Sequence, residues 1–437
     1  MGSFSPAAGR RPELPACEIL GTPLAFRRLL SPLLIGLALC AVVYLIDRVH
    51  QAHGRTYNFG VFYCSASMVW DSARGSLYNL AAQRTFQAHC GRSSISLFYY
   101  PAFALAPFLP LAALPARVAF LVWTAVSLGL LAVSVRSLSR LCGPADAKWV
   151  FALSLTFLPI VADLVHGQLS LVTLAGFVWC YSFWRDGRRF AGGMALALAC
   201  FKFQLVAGFV LILLLKKKWR ELTGLSLASI PLALASIAIA GLRGFLGYFP
   251  FVFAAEASSD ANPPVMACWR GLIRVLLPGG SHLALIAILS LAAVLFAAWL
   301  WTDLDAGFSA AILASLLTAY HSNPQDLSLA VIPFFLLTRG ISVEKRLWLA
   351  IAGISFTTGI YLSSFQSSFL AIPLAAILLG IAFRTKMTAL LSEYTCFHPG
   401  SSRMTRAIAV SRASRQNAIR YLSRSRFGSS STEVHRK

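Results

Sequence analysis

Residues 97–113 read LFYYPAFALAPFLPLAA, an apolar stretch interrupted by Pro101, Pro107 and Pro110. How this stretch is read decides how the rest of the chain threads. Counted as a full membrane crossing, it would place every later basic loop on the side opposite the rule for membrane proteins. Proline within a helix removes a backbone donor and clashes with the preceding turn. We therefore read 97–113 as a re-entrant or broken element, tolerated only where protein or a water-filled cavity covers the freed backbone groups.

Around it the chain is apolar nearly throughout. Of 437 residues, 57% are hydrophobic and 12% charged, with mean hydropathy +0.70. Soluble domains carry about 25% charged residues, and no soluble core of this size could bury so much apolar surface. A soluble multidomain protein, a disordered chain, a fibrous protein and a disulfide-stapled secreted fold are excluded together. The fold class is all-α and polytopic. Runs long enough to approach the roughly 20 residues a crossing needs fall near 29–47, 115–135, 148–165, 168–184, 190–202, 204–216, 219–241, 281–302, 306–320, 326–338, 346–363 and 367–383, about twelve in all.

Charge supports this threading. With the N-terminus inside, Arg136, Arg140, Lys148, the run 185–189, the run 216–220, Arg339, Lys345 and Arg346 all fall inside, as the positive-inside rule requires. The expected organisation is a cytoplasmic segment 1–28, a membrane domain 29–384 and a basic cytoplasmic tail 385–437. Two long external loops are expected, at 48–97 and 242–280. Net charge is +22, and the residues from Arg384 to the C-terminus hold +9 of it. Anionic membrane lipid at the tail accounts for that excess, and nucleic acid is not an expected partner. No signal peptide is expected, because the first apolar run follows Arg27-Arg28 and is long enough to stay as an anchor. The placement is the cell (inner) membrane. The nine cysteines show no metal-ligand spacing. Cys64 and Cys90 share the first external loop, either paired as a disulfide or as two separate thiols.

Polar residues clustered at span ends carry the functional information, since a bilayer penalises them elsewhere. In the first loop Phe59, Phe62, Tyr63, Ala66 and Val69 recur at helical spacing, which predicts an interfacial helix after Asn58. Asp71 is the only acid between Arg48 and Leu97. Four further clusters reach the same face. They are Asp163 to Gln168 with His166, then Lys202-Phe203-Gln204, then Asn262 to Arg274 with Arg270, and finally Tyr320 to Asp326 with His321. Cations beside a phosphate absorb the charge of a leaving group, and a carboxylate accepts the proton of an attacking hydroxyl. The set suits an enzyme acting on a lipid phosphate at the membrane surface.

The segments NFGVFYCSASMVW and GSLYN (58–79), FYYPAFALAPFLPLAALP (98–115), HGQLSL (166–171), FKFQ before KKKWR (201–220), WRGLIRVL (269–276) and HSNPQDLSL (321–329) carry a resemblance to glycosyltransferase family 87, which includes polyprenyl-phosphate-mannose-dependent alpha-mannosyltransferases. The resemblance implies a GT-C bundle with its site on the non-cytoplasmic face, and inverting transfer of a hexose, mannose first, from a polyprenyl-phosphate sugar to a lipid or glycan acceptor. Neither a cofactor nor a metal is expected: the resemblance implies metal independence, and the chain is read as holding no Asp-x-Asp pair anywhere. On this reading Lys202, Arg270 and His321 bind the donor phosphate. Tyr63, His166, Gln168 and Gln204 contact substrate, and Asn58, Asp71 and Asp326 are the catalytic candidates. The family usually has aspartate at the position of Asn58 and Lys-Pro-Gln where this chain has Lys202-Phe203-Gln204. An amide cannot take a proton, so a catalytically degenerate lipid-sugar binder or flippase-associated protein is the alternative.

Overall fold

The computed structural model describes residues 58–71, 74–90, 96–140, 147–258, 263–280, 282–339, 341, 343–362 and 367–382. The expectations for 1–28, for the span 29–47 and for the tail 385–437 lie outside the described residues. The chain divides into a unit ending at Leu378 and a second unit from Leu379 onward.

Among the described residues the regular structure is helical, without strands. Helix α1 is Asn58–Trp70, α2 Leu80–His89, α3 Ala116–Ser139, α4 Ala147–Ser154, α5 Leu158–His166, α6 Ser170–Arg185, α7 Arg189–Leu196, α8 Phe203–Leu215, α9 Trp219–Ser258, α10 Trp269–Leu276, α11 Leu283–Trp299, α12 Leu304–Thr318, α13 Val331–Leu337 and α14 Val343–Leu362. All of these helices lie in the first unit. Among the described residues three helical stretches are long and apolar enough to cross a membrane: Ala116–Ser139, Arg189–Leu215 and Trp219–Ala254. Along the last, Leu227, Ile230, Leu234, Leu242, Leu246, Phe249 and Phe253 are exposed large apolar side chains. Contiguous apolar surface of this kind belongs against lipid.

Several boundaries differ from the sequence reading, each for a local reason. The expected spans 190–202 and 204–216 form one stretch, in which α7 and α8 are joined by a 3-10 segment Ala197–Lys202. Neither piece alone reaches the length of a crossing. Residues 242–258, expected as loop, are helix: the chain breaks at Gly241, with φ 71°, and resumes helical geometry to Ser258. The run 148–165 is divided between α4 and α5, with Pro159 in the first turn of α5, where its missing N–H costs nothing. Residues 97–113 hold two 3-10 turns, Ala102–Leu105 and Leu111–Ala113, and no α-helix.

Helix α1 is covered on more than one face. Phe59, Phe62 and Ala66 are buried, but so are Val61, Cys64 and Met68 on other sides, which a helix lying on an interface would expose. Its aromatics meet those of the proline-rich stretch and of α3: Phe62 stacks on Phe108 at 4.7 Å, and Phe59 meets Phe120 edge-on at 5.2 Å. Trp70 Nε1 and Tyr63 OH donate to the carbonyls of Leu109 and Leu114. The stretch 97–114 thus finds its backbone partners partly in α1 side chains. Helices α7 and α9 approach closely through Gly193, where an added Cβ would sit 2.0 Å from the Glu221 carbonyl oxygen. Small residues at helix contacts serve this purpose in membranes.

Cys64 and Cys90 are disulfide-bonded, tying the buried face of α1 to the end of α2 across 26 residues. Loop-closure entropy for that separation is worth about 3.5 kcal/mol. The double variant Cys64→Ser/Cys90→Ser should therefore unfold at a clearly lower temperature in detergent. An unchanged midpoint would show that packing of the aromatics already fixes α1.

Candidate active site

The polar centre begins at a helix break. Helix α5 ends on Gly167, whose left-handed φ of 60° lets the Gln168 N–H return to the Asp163 carbonyl at 3.0 Å. The reversal starts α6 at Ser170, whose N–H donates to Asp163 Oδ1 at 2.9 Å. The Asp163 carboxylate thereby satisfies one of the unpaired first-turn donors of α6.

Lys202 closes the 3-10 segment between α7 and α8 and points into the same place. Its Nζ donates to Ser170 Oγ at 2.9 Å and to Asp326 Oδ1 at 2.5 Å. Ser170 Oγ in turn donates to Asp326 Oδ1 at 2.9 Å. Asp326 is held by its own turn, because Asn323 N–H donates to Asp326 Oδ2 at 2.9 Å in a capping box that opens the 3-10 turn Pro324–Ala330. Both members of this ion pair are 1% exposed. A lysine has three N–H donors, so one is left over after these two bonds.

Tyr100 leads from this cluster to a second. Its hydroxyl donates to Gln168 Oε1 at 2.9 Å, and the phenol lies within electrostatic range of Lys202, Asp326 and Asp163. Its neighbour Tyr99 lies beside His321, with ring centroids 6.5 Å apart. Arg270, buried on α10, reaches the Tyr320 carbonyl and His321 Nε2, each at 3.4 Å, and its guanidinium lies 4.0 Å over the Tyr320 ring. The segment His321–Asp326 is therefore held by Arg270 at one end and by Lys202 at the other.

The remaining sequence candidates spread out. Asn58 starts α1, half-buried, and the next residue, Phe59, presses on Gly167. His166 and Gln204 are half-buried at the end of α5 and the start of α8. Tyr63 spends its hydroxyl on Leu114, away from the cluster. Asp71 is exposed past the far end of α1, and thirteen helical residues from Asn58 put it about 20 Å away. The fold does not bring it to the others. Asp163 and Asn323 lay in the polar clusters singled out but were given no role, and Ser170 and Tyr100 were not singled out as site residues. HGQLSL and FYYP contain two of them, but a serine and a tyrosine in apolar runs carry no signal of their own.

An Asp-x-Asp pair does occur, at Asp303-Leu304-Asp305, and the metal-free expectation overlooked it. Both carboxylates are otherwise engaged. Asp303 caps α12 by accepting from Ala306 N–H, and Asp305 accepts from Tyr181 OH and pairs with Arg339 at 3.2 Å.

Next to the polar centre lies an apolar cavity of about 230 Å³, whose lining includes Leu327, Val331, Phe334, Leu349, Ile354 and Leu374. Leu327 directly follows Asp326, so one turn carries both the ion pair and a cavity wall.

A family model described as glycosyltransferase family 87 matches residues 98–323, just over half of the chain. The matched region contains Lys202, Arg270 and His321 but starts after Asn58 and stops short of Asp326. No curated protein and no solved structure matches.

Proposed function

The chain belongs to glycosyltransferase family 87 as a membrane glycosyltransferase, and we propose that it transfers a hexose, mannose first, from a polyprenyl-phosphate sugar to a hydroxyl of a lipid or glycan acceptor. The observation that carries this reading is the shared grip of two buried cations, Lys202 and Arg270, on the segment His321–Asp326. Preorganised cations in a water-poor site stabilise the charge that grows on a departing phosphate. The leftover Lys202 donor, with Arg270 and His321, receives it. Attack by the acceptor hydroxyl on the anomeric carbon expels the polyprenyl phosphate with inversion. Asp326, the carboxylate beside Lys202, is the proton acceptor in this reading. Asn58, Gln168 and Gln204 serve sugar or acceptor hydroxyls through their amides, and His166 stands beside them. The apolar cavity suits an isoprenoid chain, and a GT-C architecture accommodates all of these parts. The Cys64–Cys90 disulfide favours an oxidising, non-cytoplasmic face for the first loop.

Purified protein incubated with radiolabelled polyprenyl-phosphate-mannose and total membrane lipid should yield a labelled glycolipid. Asn58→Asp should raise the rate about tenfold or more, since a positioned base is worth at least that. An unchanged rate would leave the proton to Asp326. Donor binding without transfer in both proteins would favour the degenerate binder that Asn58 suggests.

A further inference from the structure

The charges around Lys202 do not balance. One ammonium faces two carboxylates, Asp163 and Asp326, and all three side chains are at most 1% exposed. Asp326 uses both oxygens, whereas Asp163 Oδ2 is buried and has no hydrogen-bond partner. Ser170 serves both carboxylates: its N–H goes to Asp163 Oδ1, and its hydroxyl, within reach of Asp163 as well, donates to Asp326 Oδ1. A second, uncompensated carboxylate is expensive in such an interior. A phosphate arriving at Lys202 would add another negative charge to the same few ångströms.

We propose that Asp163 takes up one proton, on Oδ2, when the anionic donor binds, so that Asp163 is a positioning residue setting the charge that the donor phosphate meets. This rests on the phosphate-donor reading above. The proton comes from solvent, and no other bond is made or broken. The charged and titratable groups acting on Asp163 are Lys202 from the 3-10 segment, Asp326 from the 324–330 turn and the Tyr100 phenol. Helix α6 contributes only Ser170, and α3 and α14, which also pack on α5, bring no charge to bear on it. His166 shares its helix, one turn on.

The test is calorimetric titration of the full protein with a short-chain polyprenyl-phosphate-mannose, in two buffers of different ionisation enthalpy. The donor is a phosphodiester and does not itself titrate near neutral pH, so any proton counted belongs to the protein. Wild type should take up about one proton per donor bound. Proton uptake on binding makes affinity fall as pH rises, by about tenfold per pH unit once Asp163 is ionised in the free site. Asp163→Asn keeps the acceptor for Ser170 N–H and nearly the same shape. It should bind without proton uptake and with an affinity that is flat in pH. Binding without uptake in the wild type overturns the proposal and leaves the donor reading intact, and this arm needs no variant to fold. Undiminished uptake in Asp163→Asn overturns it too. Absence of any binding overturns the donor reading and this proposal together.

Discussion

Lys202→Ala should abolish sugar transfer and remove about 3–5 kcal/mol of stability, the usual cost of leaving one partner of a buried ion pair behind. The loss of stability comes from Asp326, left at 1% exposure without its ammonium partner, and from Ser170, which loses the donor that orients its hydroxyl. Loss of activity in this variant alone would therefore not identify a substrate contact, because the variant changes the fold's core. The double variant Lys202→Met/Asp326→Leu separates the two effects. Buried ion pairs replaced by apolar residues of similar volume are often neutral or better in stability, so the melting temperature should return to near the wild-type value. Transfer should stay absent, since the phosphate then meets no ammonium. Recovery of transfer with the double variant would show that the pair is scaffold only, and would move donor binding to Arg270.

The two cations that matter were legible in the sequence because a bilayer makes every polar residue conspicuous. Lys202 stands out between apolar runs, and Arg270 and His321 sit in short polar breaks. What could not be read was which charges pair. Lys202 and Asp326 are 124 residues apart, and nothing local distinguishes a snorkelling lysine from a buried one. The membership of Asp163 was hidden for the same reason, because its partner is a backbone N–H created by the α5–α6 reversal. Helix boundaries failed after Gly241, where Arg243, Pro250 and Glu256 interrupt the apolar run and read as loop although the backbone stays helical to Ser258. Asp71 was singled out as the only acid of the first loop, although the predicted helix already sets it about 13 residues along from Asn58. A straight helix from Asn58 carries Asp71 away from the cluster instead.

Gly167→Ala is the second change expected to have a large effect, about 2–5 kcal/mol, and its two components can be told apart. A non-glycine residue in left-handed backbone costs about 1–2 kcal/mol, and φ at Gly167 is 60°. The added methyl would also lie 2.7 Å from Phe59 Cβ and 3.2 Å from the Phe120 ring. Both phenylalanines are core residues, at 1% and 3% exposure, and overpacking of such a core typically costs about 1–3 kcal/mol. Because the clash is with a Cβ, no rotamer of Phe59 relieves it, and α1 itself must shift. Gly167→Asn is the discriminating variant, since asparagine tolerates left-handed geometry better than alanine but carries the same Cβ. If contact with α1 dominates, the asparagine variant should melt no higher than the alanine variant. It should also lose transfer, because Asn58, next to Phe59, moves with α1. Recovery of stability with asparagine would instead assign the cost to backbone conformation alone, and would free Asn58 from any dependence on the α5–α6 reversal.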